Sequence, residues 1–180
     1  EDAKISSEIL GITLTKRANG AASSVPLAGF PYHSLDQYVY KLLKAGLRVA
    51  VCEQTEDPKK AKGIVKREVV EVLSPGTAIS DKYLDHTKNN YLASVFIEKE
   101  KIGVAFMDYS TGYFFGGEWD IYKGLDLIKS YNVSEIIISD KQYSLFKNLL
   151  DSDACLISTY QNWISDLDTA SDKIKDHFKI

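Results

Sequence analysis

Three strand-like segments follow one another with almost nothing between them: "YLASVFIE" from Tyr91, "IGVAFMDYS" from Ile102 and "YFFGG" from Tyr113. They are rich in aromatic and β-branched residues, and the joints at Lys99-Glu100 and Thr111-Gly112 leave room only for tight turns. That spacing predicts an antiparallel meander. The period then changes. A helix is predicted from about Ile121 to Tyr131 with Asp120 as its N-cap, and "EIIIS" follows as a continuous apolar strand of the sort buried on both faces. A helix at 141–150, a short strand near "ACLIS" and a last amphipathic segment, "TASDKIKDHFKI", complete the order βββαβαβα. Such an order predicts a mixed sheet with helices on its faces.

The first half is patterned differently. Residues 1–10 read as the tail of a helix, with Ile5, Ile9 and Leu10 on one face and Gly11 suited to the left-handed position after it. Ile12 to Thr15 alternates like a strand, and a loop of small residues follows. Ser34-Leu35-Asp36-Gln37 is a capping-box pattern. Behind it Leu35, Tyr38, Val39, Leu42 and Leu43 form a helical stripe that Gly46 ends. "LRVAVCEQ" reads as a buried strand, Asp57-Pro58 as the start of a short helical turn, and "IVKREVVEVL" as a third strand stopped by Ser74-Pro75-Gly76. Residues 77–90 are polar and patternless. The predicted organisation is a small mixed α/β domain over 1–76, a linker over 77–90 and a second domain over 91–180 whose order is similar to an RNase H-like fold.

Charge separates the same halves. Residues 1–76 hold eleven basic and nine acidic side chains, and 77–180 hold eleven and sixteen, so a net −3 divides into +2 and −5. The chain as a whole is therefore not a basic nucleic-acid binder. Its 44% hydrophobic content argues against disorder. Cys52 and Cys155 read as buried free thiols, which fits a reducing, cytoplasmic setting. No apolar run reaches membrane-spanning length. The opening "EDAKISSEIL", without Met and with a helix already under way, reads as the start of a piece of a longer protein.

The chemistry-bearing residues are sparse. Asp108 and Asp140 sit at predicted strand ends and would be the metal-holding acids of an RNase H-like nuclease. The alternative for Asp108 is a cap on the Ser110-Thr111-Gly112 turn. His33, His86 and His177 are far apart, and no CxxC, G-x-S-x-G or phosphate-loop pattern occurs, so no catalytic or metal site is expected in the chain. Lys16-Arg17, read at a strand end beside the small-residue loop, would suit phosphate oxygens or simply be solvated. "DPKKAKGIVKR" adds Lys59, Lys60, Lys62, Lys66 and Arg67, again either a contact patch or a solvated face.

Taken together, "ITLTKR", "VPLAGFPYHSLDQYVYKLLKAG", "RVAVCEQ", "DPKKAKGIVKREVVEVLSPGT" and "NNYLAS" resemble the mismatch-binding and connector domains of the MutS family of bacterial DNA mismatch-repair ATPases. The resemblance is dense over residues 1–92 and looser afterwards. It implies a first domain on the minor-groove side of a kinked duplex, with Leu27 near the mismatch and Lys16, Arg17 and His33 on the sugar-phosphate backbone. It implies a connector without nuclease activity, with Asp172 and Lys173 facing the partner MutL. For the full-length parent it implies mismatched double-stranded DNA as ligand, a homodimer, a cytoplasmic, nucleoid-associated location, and ATP with Mg2+ bound outside these residues. The family's Phe-x-Glu wedge has no counterpart in residues 1–20.

Overall fold

The computed structural model describes residues 1–19, 22–57, 63–78, 88–150 and 155–180, with backbone alone for 18, 19, 22 and 23. The chain divides into two compact units, Glu1–His86 and Thr87–Ile180. Both are mixed α/β.

In the first unit, α1 (Asp2–Leu10) ends at Gly11, whose φ of 65° is the left-handed value expected and whose amide reaches Ser7 O. β1 (Leu14–Asn19) and β2 (Ala22–Ala28) then pair as an antiparallel hairpin, from Leu14 opposite Ala28 to Arg17 opposite Val25. The stretch expected to be a small-residue loop is thus the second strand of this hairpin. Ala, Ser and Pro carry little strand propensity. What holds them extended is the ladder to β1, reinforced where Thr15 Oγ1 donates to Leu27 O at 3.0 Å.

A 3-10 turn, Tyr32–Ser34, leads into α2 (Leu35–Lys44). The predicted capping box does not form. Ser34 already turns at φ −96°, ψ 4°, so its hydroxyl makes no capping bond, because an N-cap needs an extended backbone. Gly46, at φ 79°, ends the helix as expected, and the amides of Gly46 and Leu47 bond Leu43 O and Leu42 O. α2 buries Val39 and Leu43 against Leu73 and Ala78, with Leu35, Val49 and Val51 around them. Phe30 lies on Tyr38 with ring centroids 4.4 Å apart.

β3 (Val49–Gln54) and β4 (Arg67–Leu73) form an antiparallel ribbon, with a register shift between Val51 and Cys52. Only one face of it is covered. Val49 and Val51 meet α2, whereas Val69, Val70 and Val72 are all more than half exposed. The strand read as buried is therefore a half-covered one, and Cys52, expected inside, is exposed because it alternates with the packed Val51. The predicted turn at Asp57-Pro58 falls mostly outside the described residues, as does most of the predicted linker.

The second unit follows its expected order. β5 (Tyr91–Glu98), β6 (Lys101–Asp108) and β7 (Tyr113–Asp120) make the meander in unbroken register. β8 (Glu135–Ser139) and β9 (Leu156–Tyr160) add in parallel on the far side of β5, giving the strand sequence β7-β6-β5-β8-β9. α3 (Ile121–Ser130) and α4 (Tyr143–Leu149) are the crossovers. Both advance in one direction across the sheet, and right-handed connection puts them on the same face. The burial agrees: Tyr91, Ala93, Val95, Ile97, Ile102, Val104, Phe106, Ile136 and Ile138 point one way and share a core with Leu125, Ile128 and Phe146. Phe106 and Phe115 stack at 4.8 Å, and Tyr91 meets Tyr131 edge-on at 5.3 Å. Asp120 stands at the N-cap position of α3 but makes no capping bond, its carboxylate being taken by Lys101 Nζ at 2.9 Å.

α5 (Leu167–Phe178) is started by Asp166, which accepts from the Thr169 amide at 3.3 Å. The stripe of Ile174 and Phe178, which helical spacing would assign to a core, is 54% exposed at both positions. Phe178 meets Phe114 of β7 at 6.5 Å and α5 buries no residue.

Two positions make the second unit testable. Gly124 of α3 sits over Ile102, and a Cβ there would overlap Ile102 Cγ2. Gly124→Ala gains about 1 kcal/mol of helix propensity, but overpacking costs typically about 1–3 kcal/mol. We expect a net loss in urea denaturation, and a favourable coupling when Ile102→Ala is added. Asp108 is fully buried at the end of β6, where Oδ1 accepts from the Ser110 amide at 2.9 Å and the Ser110 hydroxyl at 2.6 Å. Burial alone would push its carboxyl up. The bonds from Ser110, with the amides of Thr111 and Asn90 acting from further off, outweigh that and hold it below the ordinary carboxylate value. A lowered folded pKa means stability that is complete above about pH 4 and is lost as pH falls through the folded value. Asp108→Asn should cost roughly 1–3 kcal/mol at neutral pH. The gap to the parent chain should close between pH 5 and pH 2, and an undiminished gap at pH 2 would show that charge is not its source.

Candidate nucleic-acid interface

The hairpin decides how the expected DNA-facing residues are presented. Directly paired residues of an antiparallel ladder share a face. Thr15 pairs with Leu27 and Arg17 with Val25, so these four lie on one side. Lys16 pairs with Pro26, and Leu14 with Ala28, on the other. The Lys16-Arg17 pair is therefore in mid-strand, not at a strand end, and its two cations point to opposite faces. Both are exposed. Leu27 is 44% exposed and Val25 46%, so the face with Arg17 combines one cation with two apolar side chains. Val25 was not singled out from the sequence, because its placement beside Arg17 depends on 22–28 being a strand.

His33 is exposed but lies off the hairpin, in the 3-10 turn before α2, next to Tyr32, whose hydroxyl donates to Glu53 Oε1 at 3.4 Å. Of the second basic run, Lys59, Lys60 and Lys62 are outside the described residues. Lys66 is compensated, with Nζ 2.6 Å from Glu68 Oε1 and its amide donating to Glu56 Oε1 at 2.6 Å. His86 is likewise outside the described residues.

The acids do not converge. Asp108 pairs opposite Tyr91, at the start of β5, whereas Asp140 follows Ser139 at the end of β8, which runs parallel to β5. Some six residues of strand separate those two levels, about 20 Å, far beyond the roughly 4 Å of a two-metal site. Asp108 is instead the turn cap that was its alternative reading, and Asp140 Oδ1 accepts from the Lys141 amide at 2.7 Å. Among the described residues no group of three His, Cys, Asp or Glu side chains could hold a metal ion. Asp172 and Lys173 are exposed on α5. No helix among the described residues is long and apolar enough to cross a membrane.

Two family profiles match successive parts of the chain. The family profile for MutS domain I matches residues 1–82, and that for MutS domain II matches residues 90–180. The chain is 44% identical over 179 residues to the DNA mismatch repair protein MutS of Cytophaga hutchinsonii, covering 99% of the chain and 21% of that relative. It is 43% identical over 180 residues to the protein of the same name from Porphyromonas gingivalis, covering 100% and 20%. With that from Chlorobaculum parvum it shares 42% over 183 residues, covering 99% and 21%. The chain thus spans about a fifth of the length of the curated relatives it matches. It belongs to the MutS family of DNA mismatch-repair proteins and carries that family's domains I and II.

Proposed function

We propose that the chain supplies the duplex-facing surface and the connector of a protein that binds mismatched and looped-out bases in DNA. The observation that carries this is the exposed hairpin face on which Arg17, Leu27 and Val25 stand together. Arg17 and Leu27 are diagonal neighbours within about 8 Å across the ladder. A guanidinium engages phosphate or a narrow groove, while an adjacent apolar side chain rests on sugars or an unstacked base. A mispair lowers the energy of kinking, so such a surface discriminates through deformability rather than base-edge hydrogen bonds. His33 and Lys16 contribute backbone contacts from other angles. The ATP with Mg2+, the homodimer and the wedge that senses the mispair belong to other parts of the full-length parent. The strand sequence β7-β6-β5-β8-β9 supports an RNase H-like connector, and the separation of Asp108 from Asp140 speaks against its use as a nuclease.

The opposed faces give a graded expectation. In full-length protein, Arg17→Ala should weaken DNA binding more than Lys16→Ala and lower the salt slope by about one. Equal losses would mean that the ribbon is gripped on both sides. The 180-residue chain alone should bind homoduplex and G·T heteroduplex alike, with dissociation constants of roughly 10⁻⁴–10⁻⁶ M, and a heteroduplex preference above tenfold in a fluorescence titration would overturn this assignment of labour.

Exposure of Asp172 and Lys173 on α5, on the side away from the half-uncovered stripe of Ile174 and Phe178, supports a contact with MutL through this helix. Rim charges act mainly on association rate and its salt dependence. Reversing both in the full-length protein should slow ATP-dependent MutL recruitment to mismatched DNA at low salt. An unchanged rate with folding intact would remove α5 from the contact.

A further inference from the structure

Among the described residues, the hairpin that presents Arg17, Val25 and Leu27 is a sheet of two strands alone. A lone hairpin is marginally stable at best in water, and this one brings no buried side chain of its own. Leu14, Val25 and Leu27 are all more than two-fifths exposed, and none of them joins the cluster of Val39, Leu43, Leu73 and Ala78 beneath α2. Its direction therefore has to come from its two roots.

The roots are unlike. β1 enters through backbone bonds, since the amides of Gly11 and Ile12 both reach Ser7 O at the end of α1. α1 also lies alongside β2, though Ile5 and Ile9 remain more than a third exposed. β2 leaves through Gly29, an open position where a Cβ would meet nothing within 4 Å. One residue later Phe30 lies on Tyr38 of α2, with ring centroids 4.4 Å apart and planes inclined at 35°. The next backbone bond in the turn, from the Ser34 amide to Pro31 O at 2.9 Å, comes after Phe30. Tyr38 is held in turn, because it precedes the buried Val39 on α2 and Lys41 Nζ, one turn on, stands 5.4 Å from its ring centroid. The ring pair is thus the clamp on the second root.

We propose that Tyr38 is a positioning residue for the hairpin: its ring seats Phe30, sets the angle at which β2 leaves α2, and so decides whether Leu27 arrives at the groove together with Arg17. Tyr38 acts through Phe30 and touches no nucleotide itself. This role rests on the reading of the hairpin as duplex-facing.

Loosening the seat affects the two side chains differently. A guanidinium feels phosphate over about 8 Å at physiological salt, so Arg17 finds one from many angles. Leu27 acts only in van der Waals contact, at about 4 Å. A hairpin aimed correctly for part of the time binds through the aimed fraction alone. Homoduplex affinity, carried by charge, should hardly change, whereas the preference for a mispaired duplex should fall. An aromatic pair is worth roughly two- to tenfold in an equilibrium constant beyond its buried area, which sets the size of the loss.

The test has two arms. In the ¹⁵N-labelled 180-residue chain without DNA, residual dipolar couplings of the Thr15, Arg17, Val25 and Leu27 amides are measured against those of α2. Tyr38→Ala should shrink the hairpin couplings, and Tyr38→Phe, which keeps the ring, should preserve them. Val39→Ala is the control: Val39 is 2% exposed in the core beneath α2, so its loss lowers the urea midpoint while leaving the seat of Phe30 in place. Its hairpin couplings should stay parental. In full-length protein, Tyr38→Ala should lower the ratio of G·T heteroduplex to homoduplex affinity by roughly two- to tenfold at an unchanged salt slope, with Tyr38→Phe at the parental ratio. Unchanged couplings in Tyr38→Ala, equal losses in Val39→Ala, or an unchanged ratio in Tyr38→Ala where Leu27→Ala lowers it would each overturn the proposal. An unchanged ratio in Leu27→Ala as well would overturn the duplex-facing reading itself, and the role of Tyr38 would fall with it.

Discussion

Four residue pairs, Leu92 with Glu135 through Val95 with Ile138, join the antiparallel meander to the crossover half of the second unit. Parallel pairing of this kind cannot be closed by a turn, so it fixes the path of α3 and obliges that helix to cross the core face of the sheet. The helix approaches so closely that only glycine fits at position 124, over Ile102. The same ladder is short, and where it stops, Gln142 takes over the backbone of Ile97. Core and crossover thus follow from one strand pairing. Even the buried Glu135 at its first step is provided for, since Ser158 Oγ donates to Glu135 Oε1 at 2.6 Å.

The second unit was legible because its signals were redundant. Alternation in "YLASVFIE", the apolar run "EIIIS" and the tight joints at Lys99 and Gly112 all named one topology, and the two joint residues take the positive φ that such turns need. The hairpin of the first unit carried no such signal. Apart from Val25, "ASSVPLA" holds no strong strand former, and its extended conformation is a property of its partner. The capping box at Ser34 misled for a related reason: the spacing was right, but the preceding 3-10 turn occupied the backbone geometry that the cap requires. α5 shows a further limit. Helical spacing gives the stripe of Ile174 and Phe178, yet spacing cannot say whether anything in the same chain covers it.

At the candidate DNA surface, adjacency in sequence gave the wrong picture of how Lys16 and Arg17 are presented. Two neighbouring cations look like a patch in a loop, where side chains can turn together. On a strand they diverge by construction, and the residues that act together are those across the ladder. Arg17 is thereby grouped with Val25 and Leu27 rather than with Lys16. A surface built this way mixes charge with apolar area on one side, which suits an object that presents phosphate and unstacked bases at once.

The alternation that turns Cys52 away from α2 also separates the chain's two thiols in redox behaviour. Cys52 faces solvent on the ribbon, whereas Cys155 is half covered and its thiol is pushed up by burial and by the nearby Glu135. Since the thiolate is the species that reacts with electrophiles and oxidants, Cys155 is doubly shielded, by access and by protonation. Oxidative damage to this chain therefore has a preferred entrance in the first unit, where the strand carrying the thiol also supplies Val49 and Val51 to the small core beneath α2.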